Sequence, residues 1–494
     1  PLAAKITINT TVRNFFISFQ IICKGIKKAI FAVQNANMPN KYHSVRPLFN
    51  SSLPQLFIET YGCQMNVNDS EVVLSILQEA GYALCNKIED ADLILVNTCS
   101  IRDNAEQRIW GRLEHFKTMK KKKSSLTIGI LGCMAERLKE ELLNHPAVDL
   151  VAGPDSYRDL PKLLVQLREG NKQINTILSQ EETYADITPV RMDQNGVSAF
   201  ISIMRGCNNM CTYCVVPYVR GGERSRDPES IVREATELYE NGYKEITLLG
   251  QNVDSYHWVD EDNPVKTTNF AQLLERVALI SPKLRVRFST SHPKDMSNSV
   301  LYTMAMYDNI CKHIHLPVQS GSDSVLSRMN RKYTRNEYLE RVAMIHKIIP
   351  DCSISTDIIA GFCGESEEDH EHTMSLMRDV EFYTAFMFQY SERPNTKAAR
   401  RYKDDVPSNV KNRRLNEIIK LQNELSLASN QKDLGKVFEV LVEGTSKKSK
   451  SELCGRNQQN KMCVFPADGH KTGDFVNVRI TSCTSATLKG EVVK

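Results

Sequence analysis

One stretch of the chain has a spacing that points to metal chemistry on its own: Arg205-Gly206-Cys207-Asn208-Asn209-Met210-Cys211-Thr212-Tyr213-Cys214, a C-x3-C-x2-C loop. Three thiolates so close in sequence can each hold one iron of a cubane cluster, and such clusters normally take four cysteines. A missing fourth ligand leaves one iron open. An open iron can chelate the amino and carboxylate groups of S-adenosylmethionine and pass an electron into its sulfonium, releasing a 5′-deoxyadenosyl radical. Structural zinc is the rival reading, but it normally needs four protein ligands, and no histidine lies nearby.

A second group, Cys63, Cys99 and Cys133, falls 36 and 34 positions apart. That spacing means little; the position of each cysteine means more. Each follows a run that reads as a strand, in Tyr61-Gly62-Cys63, Asn97-Thr98-Cys99 and Leu131-Gly132-Cys133. In a parallel sheet the carboxyl ends of the strands share one edge, where α/β folds build their sites. The three thiols then converge on one crevice, as a metal site or as three unrelated core cysteines, with Gly62 and Gly132 permitting close backbone approach. The other eight cysteines (Cys23, Cys85, Cys311, Cys352, Cys363, Cys454, Cys463, Cys483) are scattered and read as small buried hydrophobes. Fourteen cysteines in 494 residues do not resemble the disulfide framework of a small secreted domain, so a reducing compartment is expected.

The elements that must position these groups alternate. Strands are expected over residues 56–61, 91–97 and 126–131, with helices over 70–80, 102–117 and after Met134, an order that predicts a helix-covered parallel sheet. A loop-like stretch around 171–198 follows. Strands at 200–204, 246–249, 286–289, 313–316, 354–359 and 385–390, separated by amphipathic helices, predict an open or closed parallel barrel. Residues 413–429 read as a helical linker. Short β runs such as 437–442 and 475–480 predict a small all-β barrel at the carboxyl end. The expected class is α/β, with domains at 54–190, 198–430 and 431–494 behind a leader of residues 1–50.

Charge refines this division. Residues 1–50 carry seven Lys or Arg and no acid, leaving 56 basic against 59 acidic residues elsewhere. The leader reads as a poorly ordered or untranslated segment, with Met38 as an internal start, or as a mitochondrial presequence. The body is near neutral, so nucleic-acid contact must come from local patches. One such patch is residues 431–494, with eleven basic against seven acidic residues; it predicts a tail whose removal costs RNA affinity and spares the rest. No run approaches a membrane span, because the best, residues 15–33, is broken by Lys24, Lys27 and Lys28. His257, Trp258 and the acidic run 260–262 read as a solvated loop or a substrate lid. Lys120–Lys123 reads as a favourable helix-end cluster or an RNA contact.

From about Leu56 onward the sequence resembles the methylthiotransferases of the radical-SAM class. The blocks that carry the resemblance are ETYGCQMNVNDSE (59–71), VNTCSIR (96–102), GCMAER (132–137), RGCNNMCTYCVVPYVRGGERSR (205–226), LLGQNV (248–253) and HLPVQSGSDSVLSRMNRKYTR (315–335). They run in family order over roughly nine-tenths of the chain. The resemblance implies a methylthiotransferase domain with an auxiliary cluster on Cys63, Cys99 and Cys133, a radical-SAM partial barrel with its cluster on Cys207, Cys211 and Cys214, and a TRAM barrel that holds tRNA. Two [4Fe-4S] clusters and S-adenosylmethionine are the implied cofactors, the latter as both methyl donor and radical source. Tyr213, Gln319, Ser320 and Asp357 match positions near that cofactor. Cys363 departs from the family, which usually has proline there.

The implied reaction puts a methylthio group on carbon 2 of N6-isopentenyladenosine beside the anticodon. The implied partners are the tRNA anticodon stem-loop, a reductant such as flavodoxin or ferredoxin and a sulfur donor, with a monomer acting in a bacterial-type cytoplasm. Sister enzymes act on threonylcarbamoyl-adenosine or on a ribosomal-protein aspartate, and a non-catalytic iron–sulfur tRNA-binding adaptor is the alternative of another class.

Overall fold

The computed structural model describes residues 48–494 apart from 101–102, 193–195 and Lys494. The expectations for the leader, including Cys23 and Met38, therefore lie almost wholly outside the described residues.

Runs of apolar residues bounded by turns make the first sheet. Its strands are β1 (Gln55–Thr60), β2 (Ala83–Leu84), β3 (Leu93–Thr98), β4 (Thr127–Gly132), β5 (Leu150–Ala152) and β6 (Gln173–Asn175), all parallel in the order β2-β1-β3-β4-β5-β6. Every residue of β3 is buried, as a strand covered on both faces requires. The chain reverses direction across the sheet at β1, so the ends of β1 and β3 open a crevice at the switch point. Three of the six strands were expected. The others, of two or three residues, are too short to show a period, and β6 falls inside the stretch expected to be loop.

The helix expected over 70–80 begins earlier, at Gln64–Glu79. Its first turns carry Asn66, Asn68 and Asp69, all buried, which breaks the apolar period from which helices are read. The helix Asp103–Lys122 also outruns its expected end. Of the lysine run, Lys120 pairs with Asp149 at 2.5 Å and Lys123 with Asp92 at 2.6 Å, so these two fasten the helix to the sheet.

Six further parallel strands follow: β7 (Ser198–Ser202), then, past the short antiparallel pair β8 (Met204–Arg205) and β9 (Arg224–Ser225), β10 (Glu245–Leu249). Beyond the hairpin β11 (His257–Val259) and β12 (Thr267–Asn269) come β13 (Arg285–Ser289), β14 (His313–His315), β15 (Ser353–Ala360) and β16 (Thr384–Gln389). They form two parallel three-stranded sheets, β13-β10-β7 and β14-β15-β16. Backbone bonds from Cys311 N to Val286 O, 2.9 Å, and from Val286 N to Asn309 O, 2.8 Å, join them into one arc, the partial barrel. The hairpin corrects the loop reading of His257 and Trp258; Trp258 packs against the core and under Lys266.

The helix Ser408–Gln431 is not a free linker. It buries Ile418 on the barrel, and Gln422 and Ser426 donate to the carbonyls of Phe382 and Tyr383, each at 2.8 Å. After it, β17 (Val437–Ser446), β18 (Ser449–Arg456), β19 (Met462–Pro466), β20 (Phe475–Cys483) and β21 (Leu488–Val492) close a five-stranded barrel. The turn between β18 and β19 seats on the amino-terminal side of the larger barrel. Arg285 donates to Arg456 O at 2.8 Å, Arg287 to Asn457 O at 2.7 Å and Ser353 to Gln459 O at 2.6 Å. The tail therefore packs on the floor of the larger barrel while keeping an apolar core of its own, with Val440, Phe465 and Val478 buried inside it. A chain ending at residue 430 is expected to be less stable by on the order of 3–5 kcal/mol, since hydrogen bonds to charged groups contribute about 1.5–3 kcal/mol each. Denaturant unfolding checks this, and an unchanged midpoint would count against it.

Candidate active site

All six cysteines of the two triads line one cavity of about 1020 Å³. Cys63 ends the turn after β1 and caps the helix Gln64–Glu79. Cys99 follows β3 directly, and Cys133 starts the helix Cys133–Leu138 at the end of β4. Cys99 and Cys133 are each 3% exposed, whereas the exposed surface of Cys63 faces the cavity. Gly62 has φ +127°, and a Cβ there would strike Cys99 Cβ; at Gly132, with φ +87°, it would strike Asn97 Oδ1. Only glycine lets these strand ends come so near. Asn66 secures them, donating to Asn97 Oδ1 at 3.0 Å and Thr98 O at 3.1 Å. Of the scattered cysteines, Cys85, Cys311, Cys352, Cys363 and Cys463 are buried, while Cys454 and Cys483 are half-buried.

A buried guanidinium stands against each triad. Arg220 Nε lies 3.2 Å from Cys133 Sγ, and its Nη2 is 2.7 Å from Asp69 Oδ2. Arg205, just before the cluster loop, takes the other oxygen of Asp69 at 2.8 Å. Asp69 comes from the first domain and both arginines from the second, so this network clamps the two together. Arg331 Nη1 lies 3.3 Å from Cys211 Sγ; its other bonds go to Tyr333 Oη and Pro317 O. Arg331 is 4% exposed and has no carboxylate among these partners. A buried cation without a counter-charge is costly.

The thiols reflect this field. A hydrogen bond from Cys99, against burial and with help from Arg220, brings Cys63 down to about 6. Burial pushes Cys133 up against the pull of Arg220, and pushes Cys207 to about 11 and Cys214 to about 12. Among the described residues no three His, Cys, Asp or Glu side chains gather tightly enough for a single ion; each triad stands around a space. Two groups of thiol donors about one cavity, each group with one cysteine against a buried guanidinium, fit anionic iron–sulfur clusters, in which coordination holds the cysteines as thiolates.

Tyr213, Gln319 and Asp357 line the same cavity. Tyr213 stands edge-on to Phe362 at 6.5 Å. Gln319 adopts φ +73°, and its backbone exchanges bonds with Asp357 O and Ile359 N, both 2.9 Å. Ser320 does not line the cavity: it is buried behind Gln319, with its hydroxyl 3.3 Å from Thr373 Oγ1. Cys363 is buried in a turn, its carbonyl accepting from Arg328 at 3.1 Å. Two lining groups were missed in the sequence. Gln251 Oε1 and His292 Nε2 are buried without a partner among the described residues, and burial, with Arg331 and Lys294, drives His292 down to about 2, so it is neutral. Gln251 at least lies within the quoted block LLGQNV.

Three family profiles match: the uncharacterized protein family UPF0004 over residues 55–153, the radical SAM superfamily over 201–377 and the TRAM domain over 431–493. Among solved structures the chain resembles the radical S-adenosylmethionine methyltransferase TsrM from Kitasatospora setae, with TM-score 0.54 and 13% identity over 70% of this chain and 75% of that one, a likeness of fold. Curated relatives named tRNA-2-methylthio-N(6)-dimethylallyladenosine synthase are far nearer. That of Amoebophilus asiaticus is 57% identical over 465 residues, 92% of this chain and 95% of its own. That of Bacteroides fragilis is 58% identical over 439 residues, 89% and 96% of the two chains. Fold and site together define a radical-SAM enzyme, a class built on an iron–sulfur cluster and S-adenosylmethionine. The chain belongs to the family of tRNA-2-methylthio-N(6)-dimethylallyladenosine synthases.

Proposed function

We propose that the protein transfers a methylthio group to carbon 2 of N6-isopentenyladenosine next to the anticodon of tRNA, with S-adenosylmethionine as methyl donor and radical source. The observation that carries this reading is the single cavity faced by both triads: a base held between them meets groups from two domains at once. Cys207, Cys211 and Cys214 would hold one [4Fe-4S] cluster and Cys63, Cys99 and Cys133 a second. When bound, the two clusters supply the electron for sulfonium cleavage and carry the sulfur to be transferred.

The chain's own residues do the rest. Arg331 and Arg220 balance the charge of the thiolate sites. Tyr213, Gln319 and Asp357 would bind and orient S-adenosylmethionine, with Ser320 bracing the turn beneath. The surrounding wall keeps bulk water from a reactive centre, while Met65, Val216, Val219, Met387 and Phe388 give it apolar stretches. A base must leave its stack to enter such a pocket, and a prenyl group adds about 0.8 kcal/mol for each methylene buried. A one-electron donor of the flavodoxin or ferredoxin kind, a sulfur donor and a monomeric enzyme in the cytoplasm complete the reading.

The test compares turnover on matched tRNAs with and without the prenyl group, with the ribosomal protein as competitor. A strong preference for the prenylated tRNA is expected. Equal turnover on both would refute the prenyl pocket, and preference for the ribosomal protein would refute the RNA substrate.

A further inference from the structure

Beside the cavity mouth lies a basic segment that the reaction leaves unexplained. Tyr390, Ser391 and Arg393 line the cavity, and the chain runs on into the short helix Lys397–Arg401 and then Lys403. Between 393 and 403 the sequence RPNTKAARRYK holds five cations and no acid. Of the flanking acids, Asp404 is paired with Lys411 at 2.6 Å, Asp405 accepts from Gly364 N at 2.7 Å, and Glu392 is exposed at the other end, so the segment from 392 to 405 keeps an excess of cations. Lys397, Arg401 and Lys403 form no ion pair among the described residues, and Arg401 and Lys403 are exposed.

This segment is held rigidly on the cluster loop. Ala398 N donates to Thr212 O at 2.7 Å. Arg400 lies over the Tyr218 ring at 5.9 Å. Tyr390, Ala398 and Tyr402 pack with Phe362 in the same apolar cluster as Tyr213. Lys397, Arg401 and Lys403, on a segment that continues from the lining of a pocket that would take a base, suit the backbone from which the base is turned out, since phosphates are met mainly by Lys and Arg.

We propose that Lys397, Arg401 and Lys403 form a phosphate-binding rim that grips the RNA backbone beside the cavity mouth. This rests on the tRNA reading above and adds a contact surface outside the carboxyl-terminal barrel, where the sequence had put the basic patch. The same cations could instead dock an acidic electron-transfer protein; their continuity with the cavity lining through Arg393 favours RNA.

The experiment uses the holoenzyme and a prenylated anticodon stem-loop, with affinity measured over a series of salt concentrations. Each phosphate contact contributes about 0.7–0.9 to the slope of log affinity against log salt. The variant K397A/R401A/K403A is expected to lose about 2 from that slope and to bind at least roughly tenfold more weakly at low salt. Iron content and thermal unfolding should match the wild type, and K397R/K403R should retain the wild-type slope, as charge rather than shape is at work. A triple-alanine variant with the wild-type slope and affinity overturns the rim, as does one that keeps RNA affinity and loses only its rate of reduction by an acidic flavoprotein. A wild-type enzyme with no affinity for the stem-loop would instead overturn the tRNA reading itself.

Discussion

Replacing Cys207, Cys211 and Cys214 together with alanine is expected to abolish 5′-deoxyadenosine formation while leaving iron on the other triad. The opposite set, Cys63→Ala, Cys99→Ala and Cys133→Ala, is expected to keep forming 5′-deoxyadenosine and to lose the methylthio product. The two triads hang on different elements, one on a loop of the second domain and one on three strand ends of the first, so neither should collapse with the other. The first set also leaves Arg331 facing no sulfur. The effect should be total, because no other described cysteine lines the cavity. Iron per chain, measured after anaerobic reconstitution alongside both products, gives the answer. Undiminished 5′-deoxyadenosine from the first variant would remove the loop from the chemistry, and full iron with full product from the second would leave Cys63, Cys99 and Cys133 as core cysteines.

Why these cysteines could be read from sequence, and their surroundings could not, is a matter of range. A strand followed at once by Gly-Cys or Thr-Cys is a local pattern, and parallel topology alone then brings three such ends to one edge. The alternation of strands and helices that gave the α/β class is equally local. Asp69 is different. It sits in a polar stretch just before the helix expected over 70–80, yet it is buried within the helix Gln64–Glu79 because its partners Arg205 and Arg220 lie 136 and 151 positions away. Arg285 and Arg287 alternate with Val286 and Phe288 as a half-exposed strand would, and their burial comes from a turn 171 positions on. Arg331 stands inside a quoted motif, but nothing local says that it points at Cys211.

The interdomain clamp yields the second large effect. Asp69→Asn keeps the shape of the side chain and removes its charge, leaving Arg205 and Arg220 buried without their shared carboxylate. Removing one partner of a buried ion pair typically costs 3–5 kcal/mol, and a loss on that order is expected in denaturant unfolding at neutral pH. Arg205 retains Pro154 O and a longer pairing with Asp155 at 3.5 Å, whereas Arg220 retains Cys133, so the loss falls mainly on Arg220.

The pH dependence gives the sign. Burial opposes ionisation of Asp69, yet the two guanidiniums prevail and hold its carboxyl below the usual range. A depressed carboxyl contributes stability that is full above its unfolded value, near 4, and is lost as pH falls through the folded value. Glu71, pushed up by burial, acts in the opposite direction in both proteins and cancels in the difference. Asp155, also pushed up by burial, shares Arg205 with Asp69 and is held more firmly as a carboxylate in the variant, which trims the gap without reversing its sign. Wild type minus Asp69→Asn should therefore be a flat gap from about pH 5 to 8 that closes as the acid limb is descended. A variant within about 1 kcal/mol of wild type at pH 7, or a gap that widens toward acid, would mean that Asp69 does not hold the domains together by charge.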